Sequence, residues 1–232
     1  MIIVQARERL FPSLSFFSNA MLVKQITLNH FGVNCYIIWD EVSKECAIVD
    51  PAAETTYEDA QVNQFIDENK LCVKWILLTH AHVDHIAGLR ECCHKYNLPV
   101  TMHEEGFKLL RQAAAYGSVM GFEVESMDDL ATNYINDGDT LSLGESKIEA
   151  RYVPGHCPGS LCYVLAEEKM VLTGDALFRL SVGRSDLPGG NGPLLLEKLK
   201  SRIMVLDDDY QVLPGHGELS TIGDERKHNP FF

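Results

Sequence analysis

Thr79-His80-Ala81-His82-Val83-Asp84-His85 puts three histidines and an aspartate within six positions, directly after the apolar run 73–78. Residues 73–78 read as a buried strand, and 84–96 have helical spacing, so the cluster sits at a strand exit that runs into a helix. His80 and His82 are two apart, and an extended backbone directs both side chains the same way. Asp84 and His85 enter the first helical turn and can aim elsewhere, a geometry that suits two metal ions. Imidazole nitrogen and carboxylate oxygen are donors that zinc accepts, and iron or manganese as well. The bland alternative is a chance histidine cluster on a solvated loop, and a motif counts only when its context agrees.

The context lies further along the chain. Pro154-Gly155-His156-Cys157-Pro158-Gly159-Ser160 places a histidine in a Gly/Pro-rich turn after a strand that ends at Val153. Leu172-Thr173-Gly174-Asp175 places a carboxylate after another apolar strand, and Leu213-Pro214-Gly215-His216-Gly217 repeats the arrangement after the last one. Any one of these is an ordinary turn. Together they supply five histidines and two aspartates, enough for two metal ions with a shared carboxylate and open positions for water.

The spacing predicts an antiparallel meander over 22–28, 34–39 and 45–49, then a helix over 57–69, the strand 73–78, the helix 84–96 and a short strand 100–102. A long helix is expected over 104–120, then strands at 140–143, 147–153, 161–166 and 170–172, a helix over 194–205 and a last strand 210–213. Two strand-rich halves, each closed by helices, imply a layered α/β sandwich, with the layer order beyond pattern reading. One domain over 21–232 is expected. Residues 1–20 are set apart. Pro12, Ser13 and Ser15 interrupt what a signal peptide would need as its apolar region, and Ser18-Asn19-Ala20 resembles a cloning scar. An over-long start with Met21 as the true initiator is the preferred reading.

Composition narrows the function classes. The 232 residues are 46% hydrophobic and 23% charged, a chain that buries a core. With 33 Asp plus Glu against 20 Lys plus Arg, the net charge is −13. That balance opposes nucleic acid or an anionic membrane as partner, since both need a cationic face. No apolar stretch approaches the roughly 20 residues that cross a bilayer. The seven cysteines are odd in number and scattered, with no C-x-x-C pair. They read as free thiols of a reducing, cytoplasmic setting. Oligomeric state is not encoded in any pattern found.

The ordered set His-x-His-x-Asp-His, Gly-His, Gly-Asp and Gly-His resembles the metallo-β-lactamase superfamily over nearly the whole chain from Met21 onward. The resemblance implies a four-layer αβ/βα sandwich with a binuclear site on one edge. It implies a first metal on His80, His82 and His156, a second on Asp84, His85 and His216, and Asp175 bridging. Zinc is the first expectation for both ions, iron or manganese the alternatives. The aspartates at 84 and 175 are similar to the glyoxalase II branch and unlike the zinc β-lactamases. Residues 183–190 and the tail from Gly215 resemble the short bacterial glyoxalase II-like hydrolases. The chain ends soon after His216, so the C-terminal helical domain of full-length glyoxalase II is expected to be absent. Arg184 and Asp186 stand where that enzyme uses a Lys and a Tyr, so Arg184 is the candidate to pair with a substrate carboxylate.

The function so implied is hydrolysis of a small-molecule thioester, such as a hydroxyacyl-glutathione, by a metal-bound hydroxide available near neutral pH. Asp84 is expected to orient the nucleophile as well as bind metal, and a thiolate leaves without a strong general acid. A mononuclear iron persulfide dioxygenase shares the metal motif and a Gly-Arg-x-Asp loop like 183–186, but differs where this chain continues Pro188-Gly189-Gly190. A lactonase or other metallo-hydrolase of the same fold, and a metal-binding scaffold without catalysis, are further alternatives. Cys157 beside His156 reads as a small turn residue. His30, His94, His103 and His228 read as surface or hydrogen-bonding histidines. The acidic stretch 123–129, between Phe122 and Tyr134, is a solvated loop or a lid over the metal edge.

Overall fold

The computed structural model describes residues 3–4 and 21–232. Apart from the short strand β1 (Ile3–Val4), the N-terminal extension read at 1–20 lies outside the described residues. The expected meander is present as β2 (Met21–Leu28), β3 (Val33–Asp40) and β4 (Glu45–Val49). Helix α1 (Thr56–Glu68) follows, started by a capping box in which Thr55 and Glu58 satisfy each other's backbone N–H groups. Next come β5 (Cys72–Leu77), α2 (Leu89–Tyr96), β6 (Val100–Met102), α3 (Phe107–Arg111), α4 (Ala113–Met120) and β7 (Thr132–Tyr134). These strands form one sheet in the order β1 to β7, antiparallel as far as β4 and parallel beyond it.

The second half contributes β8 (Thr140–Leu143), β9 (Ser146–Tyr152), β10 (Leu161–Leu165) and β11 (Met170–Gly174). A small hairpin, β12 (Leu177–Phe178) with β13 (Ser181–Val182), precedes α5 (Gly192–Lys198), β14 (Gln211–Pro214), β15 (Ser220–Thr221) and α6 (Ile222–His228). The second sheet has the order β15-β14-β11-β10-β9-β8, with β11 and β14 parallel.

Strand alternation fixes the layers. In β3, Cys35, Ile37 and Trp39 face a core shared with Val62 and Ile66 of α1 and Leu89 and Cys93 of α2. Tyr36 and Ile38 face the other way, into a core shared with Ile148, Tyr163 and Leu172 of the second sheet. Beyond that sheet, Cys162, Val164 and Val212 pack on Leu195 of α5 and Ile222 of α6. Helix, sheet, sheet, helix is the order, which is the expected four-layer sandwich. Each fully buried aliphatic side chain contributes about 1.5–3 kcal/mol, so three such interfaces carry the fold.

The helices depart from the sequence reading in three places. The span 84–96 is a tight turn, Val83–Ile86, followed by α2, because the Gly88 N–H goes to Pro51 O at 2.9 Å instead of up a helix. The span 104–120 is divided at Gln112, where α3 ends and α4 begins. The helix expected over 194–205 is α5 continued by a wider turn, Leu199–Ile203. The strands β7, β12, β13 and β15 and the helix α6 carry too little apolar periodicity to stand out in the sequence.

The two sheets are locked together at the edge where β5, β11 and β14 end. The Leu161 N–H donates to Thr79 O at 2.7 Å, Tyr163 Oη to Leu78 O at 2.9 Å, and Tyr36 Oη to Pro214 O at 2.8 Å. Among the described residues no helix is long and apolar enough to cross a membrane.

Candidate metal centre

At that edge all seven expected ligand residues come together. His80 and His82 leave β5, His156 leaves β9, Asp175 leaves β11 and His216 leaves β14, while Asp84 and His85 sit in the turn Val83–Ile86. His82 Nδ1 and His156 Nε2 are 2.9 Å apart, and the His80 ring lies edge-on to both, with centroids 4.8 and 4.9 Å away. Beside them, His216 Nε2 is 3.3 Å from Asp84 Oδ2 and 3.3 Å from His85 Nε2. Asp175 lies between the groups, with Oδ1 3.2 Å from His85 Nε2 and Oδ2 3.7 Å from His156 Nε2. These are two adjoining clusters with one carboxylate reaching both.

Backbone and neighbouring side chains aim the rings. His156 Nδ1 is 2.7 Å from Arg184 O and His216 Nδ1 is 3.1 Å from Phe31 O. Each contact makes Nδ1 the donor and leaves Nε2 free as a ligand atom. Asp50 does the same for His85 at 2.9 Å, and also accepts from Thr79 N at 2.7 Å and Thr79 Oγ1 at 2.6 Å. Asp50 was not singled out in the sequence. The available signal was a carboxylate just after the buried strand 45–49 and before a proline, the same strand-exit logic that finds Asp175. Gly215 allows the close packing, for a Cβ there would lie 2.3 Å from Asp175 Oδ1.

Electrostatics divide the cluster. Burial, with the facing imidazoles, holds His80 well below the usual histidine range. Burial and His156 bring His82 down to about 4, and burial lowers His156 despite Asp175. Burial opposes protonation of His85 too, but Asp175, Asp84 and Asp50 outweigh it and raise that residue. At His216 the same contest is won by Asp84 and Asp175, which raise it. Both Asp84 and Asp175 are held below the ordinary carboxylate range, as His85 and His216 overcome the cost of burial.

A divalent cation fits this arrangement. His80 Nε2 and Asp175 Oδ1 are buried without a hydrogen-bond partner, a cost of about 1–3 kcal/mol per group that a bound ion would remove. The donor groups fall into three overlapping sets that could each hold an ion: His80, His82, His156 and Cys157; Asp84, His85 and His216; and Asp50, His80 and His85, in which Asp50 is already taken by Thr79. Cys157 is buried, its thiol pushed up to about 12 by burial and its Sγ 3.3 Å from Ser160 Oγ, which keeps it a thiol packed in the turn.

The clusters open into a cavity of about 510 Å³. One end carries His82, Asp84, His156, Asp175 and His216, and the rest is mostly apolar. Arg184 reaches the mouth, with Nε and Nη2 each 2.8 Å from the Asp186 carboxylate. The stretch 123–129 does not line this cavity, and helix α4 does, so a lid over the metal edge is not formed by the acidic loop. Phe122, just before that stretch, is buried. His30 lies at 2.7 Å from Glu54, and His103 stacks on Tyr152 at 4.2 Å, outside the cluster.

The family model described as metallo-beta-lactamase superfamily matches residues 28–216. The chain is 36% identical to the probable metallo-hydrolase YqgX of Bacillus subtilis, covering 90% of this chain and 96% of that one. It is 32% identical to the hydroxyacylglutathione hydrolase GloC of Haemophilus influenzae, covering 91% and 98%. It is also 32% identical to the human persulfide dioxygenase ETHE1, covering 84% and 69%. Two similar crystal structures are the B3 metallo-beta-lactamase BLEG-1, 32% identical, TM-score 0.81 and covering 90% and 98%, and TTHA1623 in a di-iron-bound form, 31% identical, TM-score 0.80 and covering 90% and 100%.

Proposed function

The chain belongs to the metallo-beta-lactamase superfamily, a superfamily of metallo-hydrolases, and on that premise we propose that it is a binuclear hydrolase acting on a thioester such as a hydroxyacyl-glutathione. The observation that carries this reading is the convergence of seven donor residues, His80 with its partnerless Nε2 among them, at one end of a cavity. His80, His82 and His156 would hold one ion, Asp84, His85 and His216 the second, with Asp175 shared. Zinc suits these N and O donors, and iron or manganese would be accepted by the same set. Bound divalent ions would supply a nucleophile from water at neutral pH and an electrophile for the carbonyl.

The chain's own residues do the rest. Asp84 lines the cavity and would hold the attacking water by a hydrogen bond. Asp50, the Arg184 carbonyl and the Phe31 carbonyl hold His85, His156 and His216 in the tautomer that leaves Nε2 for metal. The relative named hydroxyacylglutathione hydrolase supports the thioester class. The likeness to a persulfide dioxygenase supports a second reading, an oxidoreductase with one iron. The second donor group, Asp84, His85 and His216, weighs for two ions.

The test is to load the apoprotein with zinc, iron or manganese and offer thioesters, S-lactoylglutathione and an N-acetylcysteamine thioester among them, beside a persulfide with oxygen uptake followed. Thiol release without oxygen uptake is expected. Oxygen consumption with one iron per chain and no thiol release would replace the hydrolase reading.

A further inference from the structure

The wall of the cavity facing the metal-site residues is apolar well beyond what hydrolysis itself requires. Leu109, Ala113, Tyr116 and Met120 come from α3 and α4, and Phe31 and Leu187 from two loops. Phe31, Tyr116 and Met120 are each more than two-fifths exposed, and Val119 at the rim is 81% exposed. Contiguous apolar surface left open to water marks a binding site when it adjoins a cavity. The volume of about 510 Å³ is that of a small-molecule pocket.

The wall is built to stay in place. Phe122, just past α4, is buried edge-to-face on Phe31 at 5.3 Å, and His30 packs on Phe122 at 4.5 Å. Gly121, at φ +88°, makes the turn that brings Phe122 under the helix. Charge points the same way. Arg184 is the one Lys or Arg among the described lining residues, and two of its nitrogens are already taken by Asp186. An anionic peptide carrier such as glutathione would meet apolar side chains and a neutralised cation.

We infer that this wall receives an uncharged apolar group of the substrate, and that the enzyme selects thioesters bearing such a group over glutathione thioesters. The inference rests on the thioester hydrolase reading and narrows it. The reaction is unchanged: the acyl C–S bond breaks, a water oxygen bonds the acyl carbon, and the thiolate leaves with the water's proton.

Two thioester series on the metal-loaded protein separate the possible sources of the apolar group: N-acetylcysteamine esters with acyl chains of rising length, and acetyl thioesters with S-alkyl chains of rising length. A fully buried methylene is worth about fourfold in binding, so this half-exposed wall should give about a twofold rise in kcat/KM per methylene in one series. S-lactoylglutathione should fall below the longer members. Val119→Lys, at an exposed rim position, should raise the S-lactoylglutathione value about threefold by Coulomb attraction at roughly 6 Å. Independently of turnover, bound N-phenyl-1-naphthylamine, a neutral fluorophore, should be displaced by 2-alkanones with affinity rising along the chain. Thioester hydrolysis with flat length dependence and no displacement overturns this inference and leaves the hydrolase reading standing. Graded displacement without any thioester hydrolysis overturns the hydrolase reading, and with it the thioester preference, leaving only an apolar binding wall.

Discussion

Replacing Asp50 by Asn tests how much of the metal centre is built by a residue that touches no substrate. The Asp50 carboxylate is buried and accepts three hydrogen bonds, from Thr79 N, Thr79 Oγ1 and His85 Nδ1, at 2.7, 2.6 and 2.9 Å. An amide of the same shape has one oxygen. If that oxygen stays on Thr79 N, the NH2 group faces His85 Nδ1, which must then become an acceptor. The proton moves to Nε2, the atom 3.3 Å from His216 Nε2 and 3.2 Å from Asp175 Oδ1, and blocks the second cluster. If the amide flips, two donors meet at Thr79 N at a cost of about 1–3 kcal/mol. Either way the fold should survive, since domains hold about 5–15 kcal/mol in reserve. The second ion should bind about 10–100-fold more weakly, the usual loss for a partner that orients a ligand histidine. The first cluster, His80, His82 and His156, should keep its ion. Metal content after dialysis, with titration calorimetry for each site and urea unfolding as the control, reads all three. A D50N protein that holds two ions with unchanged affinity would refute the tautomer reasoning.

Three further outcomes follow from the same geometry. Gly215→Ala would push a methyl group to 2.3 Å from Asp175 Oδ1 and 2.8 Å from His85 Cε1, so metal content and activity should both drop sharply while circular dichroism stays native. Metal binding should release protons unequally: His82 at about 4, with His80 and His156 also lowered, is neutral at pH 7, whereas the raised His85 and His216 must each give up a proton to ligate. Calorimetry in buffers of different ionisation enthalpy should therefore show more proton release at the second ion than the first. Affinity of the second ion should fall first as pH drops, and equal release at both would contradict the assignment. Glu225→Ala removes a buried carboxylate that accepts from Leu180 N at 2.9 Å and Asn229 Nδ2 at 2.7 Å, and should cost about 2–4 kcal/mol in urea unfolding.

The candidate metal ligands are legible because four of them crowd into residues 80–85 at a strand exit and the other three, His156, Asp175 and His216, each follow a glycine just past a strand, local signals that survive without knowledge of the fold. The seven residues from His80 to His216 converge as expected. The sandwich is legible on a different signal, the alternation of β8 and β9 and the short apolar runs of β3, β4, β10 and β11, each bounded by turn residues. What escaped depends on distance in sequence. Asp50 becomes meaningful only when β4 lies beside β5 and brings it to Thr79 and His85. The division of 104–120 at Gln112 carries no helix breaker, yet it sets the wall of the cavity. The Arg184 carbonyl reaches His156 across 28 residues, a contact that no one-dimensional pattern discloses, while its guanidinium lies on its near neighbour Asp186.

The central claim is that two ions on this cluster run one hydrolysis. Titrating metal-free protein with zinc while following thiol release from a thioester tests it most directly. Activity should climb to a plateau at two zinc ions per chain, and His216→Ala should bind one ion and lose at least about a hundredfold in kcat. Full activity at one ion per chain, or an unimpaired His216→Ala protein, would contradict it.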